Sequence, residues 1–232
     1  MTGEKQFQMV MRDMLFITWE VEPEVVRKLV DQRLELDTVP GSNGRAAAVV
    51  SAVCFRVSEV SSSILLLPSL SFEQVNYRVY VKTGDVPAVS FLDIKVNSRM
   101  VAALTGFMNV PINYEDIDIK TFSGDAGALS YAVKSGGVQA EVTIGEQDAS
   151  DGRITPDFIT ARFVGYLRVA DGVFRIEVEQ PGLHTVAARV QNVAAPSLER
   201  QGVLTPDQSA RPYSMLYVRE ALFGARTPTR LS

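Results

Sequence analysis

The residues predict a mainly β (α+β) protein, an antiparallel sheet closed or nearly closed into a barrel or cone with a few helices outside it. Three observations carry that expectation. Short apolar segments recur at regular spacing, several with a clear period of two. Turn signals punctuate them, and there is no long helix series, β-α-β rhythm or internal repeat. A chain of 232 residues, 46% hydrophobic and 22% charged, can bury a sizeable core without disulfides, and one domain over 1–232 is expected.

The elements follow in order. Pro23 to Gln32 reads as a helix, with Pro23 in the first turn and Val25, Val26, Leu29 and Val30 on one stripe. Leu34 to Asp37 changes to period two and runs into a turn from Val39 to Gly44. Arg45 to Val60 is so evenly apolar that it predicts a long strand buried on both faces. Ser61 to Ser71, carrying Ile64, Leu65, Leu66, Leu67 and Leu70, is unusually greasy for a connection. It is expected to tuck under the domain, to join copies as a homo-oligomer, or to act as a lid.

Val75 to Lys82 alternates cleanly. Val75, Tyr77, Val79 and Val81 point one way, and Asn76, Arg78, Tyr80 and Lys82 the other. After the Thr83-Gly84-Asp85 turn, Ala88 to Val96 completes a hairpin. Leu92, Ile94 and Val96 are expected on one face, and Val89, Phe91, Asp93 and Lys95 on the opposite one. Ser98 caps a helix whose buried side holds Met100, Val101, Leu104 and Met108. Strands are expected at Ile117–Phe122, Leu129–Lys134 and Val138–Ile144, the last two joined by a tight turn at Ser135-Gly136-Gly137. A short helix at Pro156–Val164, a hairpin Tyr166–Val169 with Val173–Glu179, a helix near Ser197–Gln201 and a strand near Tyr213–Leu222 complete the chain.

Composition excludes several functions. A net charge of −4, with 17 arginines and 6 lysines dispersed, provides no footprint for nucleic acid. No apolar run approaches the roughly 20 residues of a membrane span, and the first residues lack a signal-peptide core. A cytoplasmic protein with no membrane partner is expected. The lone Cys54 lies in an apolar run and reads as a small buried hydrophobe. The single His184 has no partner at ligand spacing, so no metal is expected, and the absence of a phosphate loop or glycine fingerprint predicts no cofactor. The Asp116, Asp118 and Lys120 face reads as solvated charge.

Lysine nucleophiles need burial or a neighbouring cation to lower their pKa. Lys95 and Lys120, the two within strands, instead each have a carboxylate two residues back, Asp93 and Asp118, which acts in the opposite direction. Arg78 is the more informative cation. With Asn76 and Tyr80 on its face it offers a compact set of donors for a carboxylate or carbonyl if that face turns inward, and an ordinary wet face if it turns outward. Periodicity leaves both open.

A family resemblance adds to this. Met11 to Trp19 followed by Glu22-Pro23-Glu24, Leu34 to Asp37, Val75 to Val81, Ser98-Arg99 and, more loosely, Phe158 to Phe163 resemble an uncharacterised bacterial family of the acetoacetate decarboxylase-like superfamily. The resemblance implies a β-barrel or cone around a small-molecule cavity, with Arg78 and its neighbours in the lining. It also implies an arginine at a helix start, here Arg99, ahead of a Gly-x-Pro-Lys segment carrying a Schiff-base lysine. Ile112 and Asn113 stand where that lysine is expected, so imine chemistry does not carry over. Glu73-Gln74 replaces the usual Pro-Glu, which displaces a carboxylate by one position and so to the other face. Glu179-Gln180-Pro181 lacks the histidine and tryptophan of a later block.

These readings converge on a barrel binding a small anionic or carbonyl-bearing ligand through Arg78, Asn76, Tyr80 and Arg99, with no catalytic residue assigned. Two alternatives stand beside it. One is a lyase-type enzyme without an imine, using Arg78 with Glu73 or Asp93 as proton shuttle. The other is a protein that self-associates through the Ile64–Leu70 segment.

Overall fold

The computed structural model describes residues 7–62, 70–107, 110–123, 128–145 and 152–231. Its elements in chain order are β1 (Phe7–Val21), α1 (Pro23–Arg27), β2 (Glu35–Leu36), β3 (Val39–Pro40), β4 (Ala46–Ser62), β5 (Phe72–Thr83), β6 (Val86–Val96), α2 (Arg99–Phe107), β7 (Ile112–Tyr114), β8 (Ile117–Ser123), β9 (Leu129–Ser135), β10 (Gln139–Ile144), α3 (Pro156–Thr160), β11 (Val164–Val169), β12 (Gly172–Glu179), β13 (Val186–Ala194), α4 (Pro196–Arg200), α5 (Pro206–Ser209), β14 (Ser214–Ala225) and β15 (Thr229–Arg230). No helix among them is long and apolar enough to cross a membrane. Most of the greasy Ile64–Leu70 segment lies outside the described residues.

Seven strands form a ring-like sheet in the order β12-β11-β6-β5-β4-β1-β14, and β14 returns to β12 through Val178↔Ala225 and Glu179↔Gly224. From β14 the sheet continues into a second leaf, β13-β10-β9-β8. The expectation of a purely antiparallel barrel needs correction: β6 pairs in parallel with both β11 and β7, so the sheet is mixed. The reason is connectivity. After β6 the chain runs through α2 and much of the second leaf before re-entering beside it through α3, a crossover long enough for a parallel neighbour.

Two cores result. One fills the ring, and the other lies between the ring's outer face and the second leaf. The long strand β4 serves both, as its even hydrophobicity predicts. Ala48, Val50, Ala52 and Cys54 pack outward, while Val49, Val53, Phe55 and Val57 pack inward. In the second core, Gly137 lets the tight turn at Ser135 approach Tyr77, since a Cβ there would lie 2.3 Å from the Tyr77 hydroxyl. Ser135 Oγ accepts from the Gly137 and Val138 amides at 3.1 and 3.0 Å, which holds the turn.

Local sequence explains other departures. α1 stops at Arg27, short of the expected Gln32, because the Arg27 guanidinium donates to the carbonyls of Val30, Asp31 and Leu34 and holds a turn there. Ser98 caps α2 as expected, accepting from the Val101 amide at 3.3 Å. Its contact line, however, is Val101 and Ala102, Met100 and Leu104 are 49% and 43% exposed, and Met108 lies outside the described residues. In β6 a bulge sets Tyr77 opposite Asp93 and Arg78 opposite Phe91, leaving Leu92 between them. The extra residue reverses every later side chain. Phe91 therefore stays with Val89 inside the ring, and Asp93 and Lys95 do not share its face.

Candidate functional site

Burial decides which way β5 faces. Val75, Tyr77, Val79 and Val81 are all fully buried in the outer core, so the alternate residues Gln74, Asn76, Arg78 and Tyr80 turn into the ring. Arg78 Nη2 donates to Tyr80 Oη at 2.9 Å and to the Ile159 carbonyl at 2.9 Å. Its guanidinium lies 5.3 Å from the Phe16 ring centroid and 5.1 Å from that of Tyr80. Its Nε is buried and has no partner among the described residues. Behind it, Tyr80 Oη, Ser51 Oγ and Thr18 Oγ1 stand 2.9 Å apart in succession, a hydroxyl chain running across β5, β4 and β1. That chain fixes the phenol oxygen that Arg78 leans on.

The opposite wall is α3. A five-residue helix cannot satisfy its own terminal carbonyls, and three side chains do so from the ring. Arg162 Nε donates to Phe158 O at 2.7 Å, Arg78 to Ile159 O, and Gln180 Nε2 to Thr160 O at 2.6 Å. Thr155 caps the other end, accepting from the Phe158 amide at 3.1 Å. Arg162 is itself deeply buried, with its guanidinium 4.2 Å from the Phe158 ring centroid and 5.1 Å from that of Tyr80. Its Nη1 reaches Asp37 Oδ2 at 2.5 Å.

Between these walls the ring holds a partly open cavity of about 110 Å³. One water needs roughly 10–15 Å³ on this measure, so a molecule of several heavy atoms fits. Asn76, Arg78, Thr160, Arg162 and Gln180 supply its polar lining, and much of the rest is apolar: Met11, Met14, Phe55, Phe91, Leu183 and Phe223 among others. Gly165 lies against Phe91, whose ring would be 2.7 Å from a Cβ at that position. Glycine there leaves room for both the ring and the void.

Of the residues nominated from sequence, Asn76 and Arg78 line the cavity, and Tyr80 supports Arg78 from immediately behind. Arg99 does not join them. It opens α2 on the outside of the ring, exposed, with its guanidinium 4.5 Å from the Tyr114 ring centroid. The two acids of the lyase alternative are also elsewhere. Glu73 accepts from the Ile119 amide at 3.1 Å and pairs with Arg56 at 3.4 Å in the outer core, and Asp93 pairs with Lys95 at 3.0 Å. Gln74, not an acid, stands next on the ring-facing side of the strand, donating to Asn76 Oδ1 at 2.7 Å. Among the described residues no lysine lines the cavity, and no group of three His, Cys, Asp or Glu converges as metal ligands.

Sequence reasoning missed Arg162, Thr160 and Gln180. Arg162 stood within the Phe158–Phe163 block, but its inward direction depends on α3 ending at Thr160, which no periodicity announces.

A family profile matches residues 8–219, nearly the whole chain. The chain belongs to the DUF2071 family of uncharacterized conserved proteins. One relative is the uncharacterized protein YqjF of Bacillus subtilis (strain 168), 30% identical over 117 residues, a match spanning 49% of this chain and 46% of YqjF. The match thus spans less than half of that relative's length. Among solved structures, the enduracididine biosynthesis enzyme MppR complexed with pyruvate is similar at a TM-score of 0.62 and 13% identity, over 100% of this chain and 92% of that one. Acetoacetate decarboxylase from Legionella pneumophila subsp. pneumophila str. Philadelphia 1 is similar at 0.60 and 12%, over 100% and 92%. An acetoacetate decarboxylase-like enzyme from Sphingomonas wittichii RW1 is similar at 0.58 and 13%, over 99% and 94%. At such identities the likeness is one of fold, and this DUF2071 member has the acetoacetate decarboxylase-like fold that its sequence resembles.

Proposed function

We propose that this protein binds one small anionic or carbonyl-bearing molecule inside its ring, with Arg78 holding the ligand's oxygen and Asn76 and Tyr80 fixing its orientation. One observation carries the reading. The Arg78 guanidinium lines the cavity, and its hydrogen-bond partners among the described residues are neutral oxygens. Neutral oxygens leave its charge unanswered, and a charge-assisted bond to a ligand oxygen contributes roughly 1.5–3 kcal/mol. The pyruvate bound to MppR supports a ligand of this size in this fold. With no described lysine in the lining, the reading is one of binding, without an imine intermediate.

Thermal denaturation with millimolar pyruvate or 2-oxobutyrate tests it. At a hundredfold excess over Kd the stabilisation is about 2.7 kcal/mol, a rise in Tm of about 5–10 °C for a chain of this length. Arg78→Ala is expected to abolish the rise, and Arg78→Lys to keep part of it. An equal rise in wild type and Arg78→Ala refutes the assignment.

A further inference from the structure

Charge and polarity are distributed unevenly along this cavity, and the ladder registers show how. Arg78 lies level with Ser51, Asn76 with Val53 and Phe16, and Gln74 with Phe55. Met11 and Phe223 line the same cavity. The polar groups that hold α3 gather around Arg78, with Phe91 opposite it, and Phe55, Met11 and Phe223 line the cavity beyond Asn76. Four residues of strand separate the Arg78 and Gln74 levels, about 13 Å.

The charge count is equally specific. Arg162 carries one positive charge and Asp37, 2.5 Å away, one negative, so that pair cancels. Arg78 has no carboxylate partner among the described residues, and its contacts are a phenol and a peptide oxygen. Among the described residues the cavity therefore holds one positive charge without a carboxylate partner, beside a largely apolar lining.

Resting on the binding reading above, we infer that the ligand class is an amphipathic monocarboxylate, a single carboxylate head on Arg78 with a short aliphatic or aromatic tail along Phe55, Met11 and Phe223. A dicarboxylate would place its second charge against those apolar groups with no cation to receive it, which low-dielectric surroundings strongly disfavour. An uncharged amide of the same shape would leave the Arg78 charge unanswered.

Calorimetric titration of the full chain with acetate, propionate, butyrate, valerate and 3-phenylpropionate, and with succinate and butyramide as comparators, tests the inference. Affinity should rise about fourfold per added methylene until the cavity is filled. Succinate and butyramide should each bind at least tenfold more weakly than butyrate. Met11→Phe, which fills the tail end, should cut valerate affinity at least tenfold more than acetate affinity. If that variant proves poorly folded, Leu183→Phe in the loop after β12 makes the same test. Acetate and valerate binding equally, or succinate binding as tightly as butyrate, overturns the inference and leaves the binding reading standing. If no acid of the series binds, and pyruvate and 2-oxobutyrate also fail, both fall together.

Discussion

Removing the charge of Asp37 should destabilise the fold and, at the same time, change which anions the cavity prefers. Arg162 is 3% exposed at its side chain and Asp37 24%, with 2.5 Å between Nη1 and Oδ2. Breaking such a pair from one side leaves a buried, uncompensated guanidinium, which costs 3–5 kcal/mol in general. Asp37 retains some contact with water, which sets the lower end, about 3 kcal/mol, as the expected loss for Asp37→Asn. For a chain of this length that is a fall in Tm of about 6–12 °C. The backbone bond from the Asp37 amide to Tyr80 O, at 3.1 Å, is untouched by the change, so the loss reports the ion pair. The double variant Asp37→Asn with Arg162→Met removes the stranded charge and should recover at least half of the loss, less the bond that Arg162 Nε makes to Phe158 O. Asp37→Asn also leaves two uncompensated guanidiniums in the cavity, so succinate should gain on butyrate by tenfold or more. Urea titration of the wild type, single and double variants measures the first effect, and calorimetry the second. A loss under about 1 kcal/mol in Asp37→Asn, the size expected of a surface pair, refutes the reasoning. So does a double variant no more stable than the single one.

Three further outcomes follow from the outer core. Gly137→Ala places a Cβ 2.3 Å from the Tyr77 hydroxyl and 3.2 Å from Ser197 Cβ. A loss of about 1–3 kcal/mol is expected on denaturation, partly restored by adding Tyr77→Phe, and no loss would show that the turn can move aside. Burial pushes the Glu73 carboxyl up from the usual range, against its bonds to the Ile119 amide and Arg56. An acid raised in the fold contributes stability below its unfolded pKa and loses it as pH rises through the folded value. The stability of wild type relative to Glu73→Gln should therefore decline as pH rises above the ordinary glutamate value of about 4.5 in urea titrations, and a flat or rising difference counts against it. Burial likewise pushes the Cys54 thiol far up. Thiol titration with an aromatic disulfide should show no reaction in the native protein and one equivalent in denaturant, and rapid native reaction would contradict the packing.

Much of the ring was legible because its signals are local. The alternation of β5, the two-faced burial of β4, the Ser98 cap and the Ser135-Gly136-Gly137 turn each depend on a few neighbouring residues. What escaped depends on a single inserted residue or on distant chain. A bulge at Leu92 moves Asp93 off the face that periodicity assigns it, and Asp13, at φ 51°, does the same in β1, sending its carboxylate to Arg56 and to Tyr217 while Met14 and Phe16 turn inward. Neither bulge has a glycine to mark it. The parallel pairing of β6 with β11 joins segments more than 70 residues apart, beyond any local pattern. Arg99 shows the same limit from the other direction. A helix-opening arginine is readable in sequence, but whether that helix start faces the cavity is a matter of packing, and here it stacks on Tyr114 outside.

The same physics explains why one arginine of this core can serve a ligand when its neighbours cannot. Arg56 is held by Asp13 and Glu73, and Arg162 by Asp37, so each is answered by a carboxylate and its field is largely cancelled. Arg78 is held by a phenol and by the last-turn carbonyl of a helix too short to satisfy itself. Neutral oxygens fix the fork's orientation while leaving the full charge. Burying such a cation is costly in isolation, and the Phe16 and Tyr80 ring faces and the α3 carbonyl offset only part of that cost. A cavity that keeps a half-answered cation in its lining is thermodynamically biased toward whatever anion can reach it.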